Sequence, residues 1–167
     1  YDKTIRITDI PDGITAPAEL FKATTDMDNF SSSIDVRITN ASESAEDELI
    51  RLLRLQTNIP DEDIFIFDIS IYERGTDRKI TLPEDTTISL TIPVCDKFTS
   101  NLEKVRIVSV HEGKLVVYPE PYISSSGRHL LVNFSSDKFS TFAFVLDKND
   151  EITDLSASAP SAIAAEM

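Results

Sequence analysis

Residues 86–93 read Thr-Thr-Ile-Ser-Leu-Thr-Ile-Pro, and residues 138–146 read Lys-Phe-Ser-Thr-Phe-Ala-Phe-Val-Leu. In the first segment, Ile88, Leu90 and Ile92 alternate with hydroxyl-bearing residues, which is the period-two pattern of a half-buried β-strand. The second segment is rich in aromatic and β-branched residues, which favour strands. Short alternating apolar segments lie between the two. This stretch therefore predicts a mainly β fold.

Similar segments occur along the rest of the chain. Further strands are predicted at 3–8, 33–39, 63–73, 79–82, 104–110, 114–118 and 129–134, with a short helical turn and a loop over 16–32 and tight turns at 75–78, 111–113 and 124–127. The period changes once: Leu49, Leu52 and Leu53 have helical spacing, and Ser42 and Ser44 precede them as N-cap candidates. The sequence therefore predicts one helix, at about 44–57.

The fold class expected from these elements is a two-sheet β-sandwich-like domain, with the helix closing one edge or end. Residues 1–148 are predicted to form this single domain. Residues 149–167 are predicted to be a flexible Ser/Ala/Pro tail or linker, because small residues and proline build no core. The apolar positions of the most regular segments predict these core residues: Leu49, Ile50, Leu53, Phe65, Phe67, Ile69, Ile88, Leu90, Ile92, Phe142 and Phe144.

The chain is acidic, with 29 Asp and Glu residues against 16 Lys and Arg and a net charge of −13. Such a charge repels nucleic-acid phosphates and anionic lipid, so we expect neither nucleic-acid nor direct membrane binding. Cys95 is the single cysteine, which excludes an intrachain disulfide and a Cys₂His₂ zinc site. We expect a monomer. Signals and anchors in flanking sequence lie outside these residues.

No catalytic motif is complete. His111-Glu112 resembles the start of a zinc-protease helix, but Leu115 occupies the position of the second histidine. The chain has four glycines, whose spacing excludes a nucleophile elbow, a dinucleotide fingerprint and a P-loop. We therefore predict no catalytic residues, no cofactor and no enzymatic activity.

Two acidic clusters could offer oxygen ligands to calcium. They comprise Asp26, Asp28 and Asn29, and Asp147, Asn149, Asp150 and Asp154. Neither has the glycine or the terminal glutamate of an EF-hand loop, so solvated loop carboxylates are the favoured interpretation. No metal site is predicted, although the sequence leaves calcium binding by these loops open.

Four segments in chain order carry a family resemblance, namely residues 67–72, 88–94, 105–114 and 137–143. They resemble a domain that recurs in surface and secreted proteins of Gram-positive, clostridial-type bacteria, in which a turn like residues 111–114 precedes a terminal hairpin like residues 137–143. Phe142 replaces a usual tyrosine and Glu112 a usual aspartate. The resemblance implies a non-catalytic module, extracellular or in the cell wall, with flanking domains in a longer chain.

The function predicted from these observations is that of a structural or spacer module. The alternative is a ligand-binding module for carbohydrate or a host protein, because sandwich loops commonly carry such sites. Tryptophan is absent and Tyr122 is predicted to lie alone in a loop, which disfavours a carbohydrate site. First and penultimate strands often lie side by side, so Lys3 and Asn133 are the pair that could form an isopeptide bond. We predict that none forms, because buried lysine is costly.

Overall fold

The computed structural model describes residues 4–25 and 31–158. Its helices are α1 (Glu43–Arg54) and α2 (Glu151–Ser158). Its strands are β1 (Thr4–Asp9), β2 (Lys22–Thr25), β3 (Ile34–Asn40), β4 (Ile64–Glu73), β5 (Ile88–Pro93), β6 (Val105–His111), β7 (Lys114–Val117), β8 (Tyr122–Ser126), β9 (His129–Ser136) and β10 (Thr141–Leu146). The mainly β prediction is confirmed.

The ten strands form one mixed sheet in the order β7-β6-β10-β4-β3-β1-β2-β5-β9-β8. Only β1 and β3 are parallel neighbours among these strands. Strand β1 joins the two halves of the sheet: Thr4 and Ile5 pair with β2, whereas the residues from Arg6 onwards pair with β3. The observed order is thus one continuous sheet, and two separate sheets are not shown.

Side chains from distant strands meet in the core. The rings of Phe134 on β9 and Phe142 on β10 have centroids 5.9 Å apart, although six strand intervals separate these strands in the sheet order. At about 4.8 Å per interval, a flat sheet would hold them roughly 29 Å apart. Nine of the eleven predicted core residues are buried, and Ile50 and Phe65 are half-buried. Aromatic contacts therefore join the two halves of the sheet.

Helix α1 begins where the sequence predicts. The Ser42 side chain accepts a hydrogen bond from the backbone N–H of Ala45 at 3.2 Å, as an N-cap does. Leu49 and Leu53 are fully buried in a cluster with Val108 and Val145 of strands β6 and β10. The helix therefore packs on a face of the sheet and also contacts the edge strand β7.

The folded part of the chain extends beyond its predicted end at residue 148, because α2 packs on the core. Residues 149–158 were expected in a flexible tail, yet Ile152 is 1% exposed in the cluster that contains Leu49. The Asp147 carboxylate accepts hydrogen bonds from the backbone N–H groups of Ile152, at 3.0 Å, and Thr153, at 3.1 Å. The carboxylate thus satisfies the free donors of the first helical turn. Residues 159–167 lie outside the described residues.

Three local predictions also require correction. Residues 22–25, expected in a loop, form β2, and residues 122–126 form β8 where a tight turn at 124–127 was expected. Residues 79–82 form no strand; only Lys79 pairs, with Tyr72. The reason is that β10 already lies along the same side of β4, where the Ser140 carbonyl accepts a hydrogen bond from the Ile69 N–H. Residues 79–82 therefore cannot continue their pairing along β4.

An ion pair between the exposed Arg6 and the buried Asp35 ties β1 to β3. Asp35 is 2% exposed and accepts hydrogen bonds from Arg6 Nε at 2.8 Å, from Arg6 Nη2 at 2.7 Å and from the Gly75 N–H at 2.9 Å. The Arg6 guanidinium above all, and the Gly75 amide with it, hold the pKa of Asp35 below its usual range, against the opposing effect of burial.

This lowered pKa predicts a pH dependence of stability. A carboxylate whose folded pKa lies below its unfolded value stabilises the fold above the unfolded pKa of about 3.9, and the contribution is lost as the pH falls through the folded pKa. The wild type should therefore lose Tm relative to Asp35→Asn as acid is added below about pH 4. Thermal unfolding followed by circular dichroism across that range measures the difference. A difference in Tm that stays constant would contradict the prediction.

Candidate binding surface

The outward side of β2, β5, β9 and β8 carries an ordered array of hydroxyl and amide groups. Ile88, Leu90 and Ile92 point into the core, so the residues between them on β5 point away from it. The register then aligns two rows across the four strands: Lys22, Thr91, Asn133 and Tyr122 in one, and Thr24, Ser89 and Ser135 across β2, β5 and β9 in the other. We call these seven residues the hydroxyl face.

The hydroxyl face carries no carboxylate. None of the outward positions on β2, β5, β8 and β9, all of which the structure describes, is Asp or Glu. Lys22 lies at one end of its row and Tyr122 at the other. In a chain with 29 acidic residues, this face is a local exception to the negative surface.

Hydrogen bonds fix the Thr91 and Asn133 side chains in the longer row. Thr91 Oγ1 donates to Asn133 Oδ1 at 2.7 Å. Asn133 Nδ2 donates to the Tyr122 carbonyl at 2.9 Å and to Ser124 Oγ at 3.0 Å. Ser89 and Ser135 share a hydrogen bond of 2.9 Å in the other row. Because each hydroxyl has one donor and two acceptor sites, these bonds orient the groups and leave further capacity for a partner.

Tyr122 is the functional candidate that sequence reasoning misplaced. It was expected alone in a loop, but it is the first residue of the edge strand β8, directly opposite Asn133. It is 71% exposed, whereas most aromatic rings in residues 4–25 and 31–158 lie in the main core or pack against it. The sequence signal was weak, since three serines and a glycine follow at residues 124–127 and favour a turn.

Two of the four segments that carry the family resemblance, 105–114 and 137–143, meet at a second site, a cleft of about 450 Å³. Its lining includes His111 and Lys114 of the β6–β7 turn and Asp137, Lys138 and Ser140 before β10. Hydrogen bonds within the fold engage polar groups here: Ser140 Oγ donates to the Val110 carbonyl at 2.7 Å, and the hydroxyls of Tyr118 and Ser136 are 2.7 Å apart. These contacts tie neighbouring elements together.

His111 and Glu112 form a turn without a metal-site arrangement. Their side chains approach to 3.9 Å, and that of Glu112 is 84% exposed. Glu112 and Gly113 both have positive φ, of 51° and 75°, as a two-residue hairpin turn requires. A turn of this type favours asparagine, aspartate or glycine, so Glu112 is not its optimal first residue.

The acidic clusters considered as calcium ligands have different outcomes. Asp26, Asp28 and Asn29 lie outside the described residues. Asp147 holds the start of α2, and Asp150 forms an ion pair with Lys104 at 2.8 Å. Among residues 4–25 and 31–158, no group of three or more His, Cys, Asp or Glu side chains is arranged to hold a metal ion.

The single thiol lies in the core. Cys95 is 2% exposed, and burial raises its pKa to about 12. A protonated, buried thiol is a poor nucleophile and metal ligand. Cys95 therefore acts as a small core residue, in keeping with its place in the main hydrophobic cluster.

The two strands expected to bring Lys3 and Asn133 together are not neighbours in the sheet. Strands β1 and β9 are separated by β2 and β5, so the assumption that they lie side by side was wrong. The Asn133 amide is engaged in hydrogen bonds with Thr91, Tyr122 and Ser124. Lys3 lies outside the described residues, and the absence of the bond stays a prediction.

Comparison of the chain with models of protein families, with curated proteins and with solved structures gives no match. The resemblance to the clostridial-type surface domain therefore stays a prediction from short motifs. Neither of the two helices in the described ranges is long and apolar enough to span a membrane.

Proposed function

We propose that this domain is a non-catalytic structural or spacer module of an extracellular or cell-wall protein, which holds and projects flanking domains. The observation that carries the proposal is the position of the first and last strands. Strand β1 has β2 on one side and β3 on the other, and β10 lies between β4 and β6. Tension from flanking domains would enter the sheet through these two interior strands.

Two ladders hold the last strand. Strand β10 pairs with β4 from Thr141 to Val145 and with β6 from Thr141 to Leu146, and its side chains are largely buried. Extracting it breaks hydrogen bonds on both sides and exposes Phe142 and Phe144, both 0% exposed. An edge strand such as β7, which pairs with β6 alone, has half of these restraints.

We further propose that the sheet folds into two facing layers, as in a β-sandwich. The ring contact between Phe134 and Phe142 supports this arrangement, as does the change of partner along β1 from β2 to β3. One layer would consist of β7, β6, β10, β4 and β3, with both helices on its outer side. The other would consist of β2, β5, β9 and β8.

Single-molecule force spectroscopy tests the mechanical role. The domain is pulled once through linkers at both termini and once through one terminus and residue 112, at the tip of the β6–β7 hairpin. We expect α2 to detach first and β1 or β10 to resist next, at a higher force than the hairpin does. An equal or lower force for terminal loading would contradict a tension-bearing role. Detectable hydrolase or metal-dependent turnover by the purified chain would contradict the non-catalytic part of the proposal.

A further inference from the structure

The hydroxyl face has the composition of a surface that binds uncharged partners. Its outward positions carry no carboxylate, while the chain as a whole has a net charge of −13. The field of such a molecule repels anionic polymers. A cationic partner would be attracted to the acidic surface instead, such as Glu43 and Glu46 in the first turn of α1. A neutral partner is subject to neither effect, and Lys22, at one end of the longer row, is the single charged side chain among the seven residues of the face.

The free hydrogen-bonding capacity of the face matches hydroxyl groups. Thr91 Oγ1 in the longer row keeps acceptor sites after donating to Asn133. Ser124 Oγ, two residues beyond Tyr122 on β8, keeps its hydrogen after accepting from Asn133. A ligand rich in hydroxyls both donates and accepts, so it can use both kinds of site. Because the network already fixes these side chains, little conformational entropy is lost on binding.

Tyr122 supplies the apolar contact. Its side chain is 71% exposed at the end of the longer row, and tyrosine offers an apolar ring with a polar tip. The C–H face of a sugar ring can pack on such a surface while its hydroxyls reach Asn133 and Thr91. From Lys22 to Tyr122 the row crosses three strand intervals, or about 14 Å, which suits several consecutive sugar units.

We propose that the hydroxyl face binds a neutral polysaccharide, which lies across β2, β5, β9 and β8 along the row from Lys22 to Tyr122. This inference goes beyond the structural role and does not depend on it. A spacer module with this face would also attach its protein to a glycan surface.

Affinity electrophoresis in native gels tests the proposal with defined probes. Hydroxyethylcellulose, mannan and dextran serve as neutral polysaccharides, and hyaluronan and polygalacturonate serve as anionic ones. We expect at least one neutral polymer to retard the wild type and neither anionic polymer to do so. Tyr122→Ala should weaken the binding about tenfold or more, and Thr91→Val should weaken it to a smaller extent. Leu55→Ala, which also truncates a side chain that is 71% exposed, is the matched control and should bind like the wild type.

Two further measurements separate loss of binding from loss of structure and locate the site. Tyr122→Ala should keep the wild-type Tm, because its ring is exposed. In amide NMR spectra, the neutral polymer should shift signals of Thr91, Tyr122 and Asn133. No binding to any of the three neutral polymers would overturn the proposal. So would equal binding by folded Tyr122→Ala, or shifts confined to the cleft around His111.

Discussion

Phe142→Ala is expected to lower the free energy of unfolding by about 3–5 kcal/mol, the usual cost of removing a fully buried aromatic side chain. Phe142 is 0% exposed. Its ring lies 5.6–6.3 Å, between centroids, from those of Phe67, Tyr118, Phe134 and Phe139. The contacts with β4 and β9 come from both halves of the sheet, so the cavity would open where the halves meet.

Urea denaturation followed by circular dichroism measures this change. Tyr122→Ala is the matched aromatic control, because its ring is 71% exposed, and it should change stability by no more than about 0.5 kcal/mol. If both variants lost similar amounts, Phe142 would not occupy the interior position that the structure assigns to it.

The elements that could be predicted are those whose signal lies within the element itself. Helix α1 has an apolar stripe and its own N-cap at Ser42, and β5 has unbroken apolar alternation, as β4 has after its apolar start at residues 64–67. Each pattern reports which face is buried without reference to a partner strand. The family resemblance added an order of motifs, but it did not contain the sheet order.

The elements that could not be predicted depend on partners distant in sequence. Strand β8 forms because it pairs with β9, whereas its serines, taken alone, favour a turn. Helix α2 begins because the Asp147 carboxylate reaches forward to Ile152 and Thr153, whereas the composition of residues 149–158 favours a tail. Asp35 lies within the predicted strand 33–39, and only the parallel pairing of β1 with β3 brings Arg6 to it.

The candidate surface shows the same limit. Ser89, Thr91, Asn133 and Tyr122 are individually unremarkable polar positions, and no motif joins them. They form one surface because β5, β9 and β8 pair in a particular register, and a shift by one residue would send each side chain to the opposite face. A motif search therefore cannot detect a binding surface whose residues are brought together only by the register of strand pairing.

Gly13→Ala is expected to destabilise the fold by about 2–4 kcal/mol, for two separate reasons. Gly13 has φ of +93°, a conformation that residues with a Cβ rarely adopt. A Cβ at this position would also lie 2.7 Å from Cε1 of Phe65, so the ring would have to move within a packed core. The Gly13 carbonyl accepts from the Asp96 N–H at 2.8 Å, which limits how far the backbone can move away.

The variant Gly75→Ala separates the cost of the positive φ from the cost of the contact with Phe65. Gly75 also has positive φ, of +73°, but nothing lies within 4 Å of an added Cβ, and its N–H can still donate to Asp35. It should therefore show only the backbone cost, about 1–2 kcal/mol, and Gly13→Ala should exceed it by the cost of displacing Phe65. Adding Phe65→Leu to Gly13→Ala should recover part of that excess, because the shorter side chain leaves room for the new methyl group. Equal losses for Gly13→Ala and Gly75→Ala, measured by denaturation under the same conditions, would show that the ring contact adds nothing to the backbone strain.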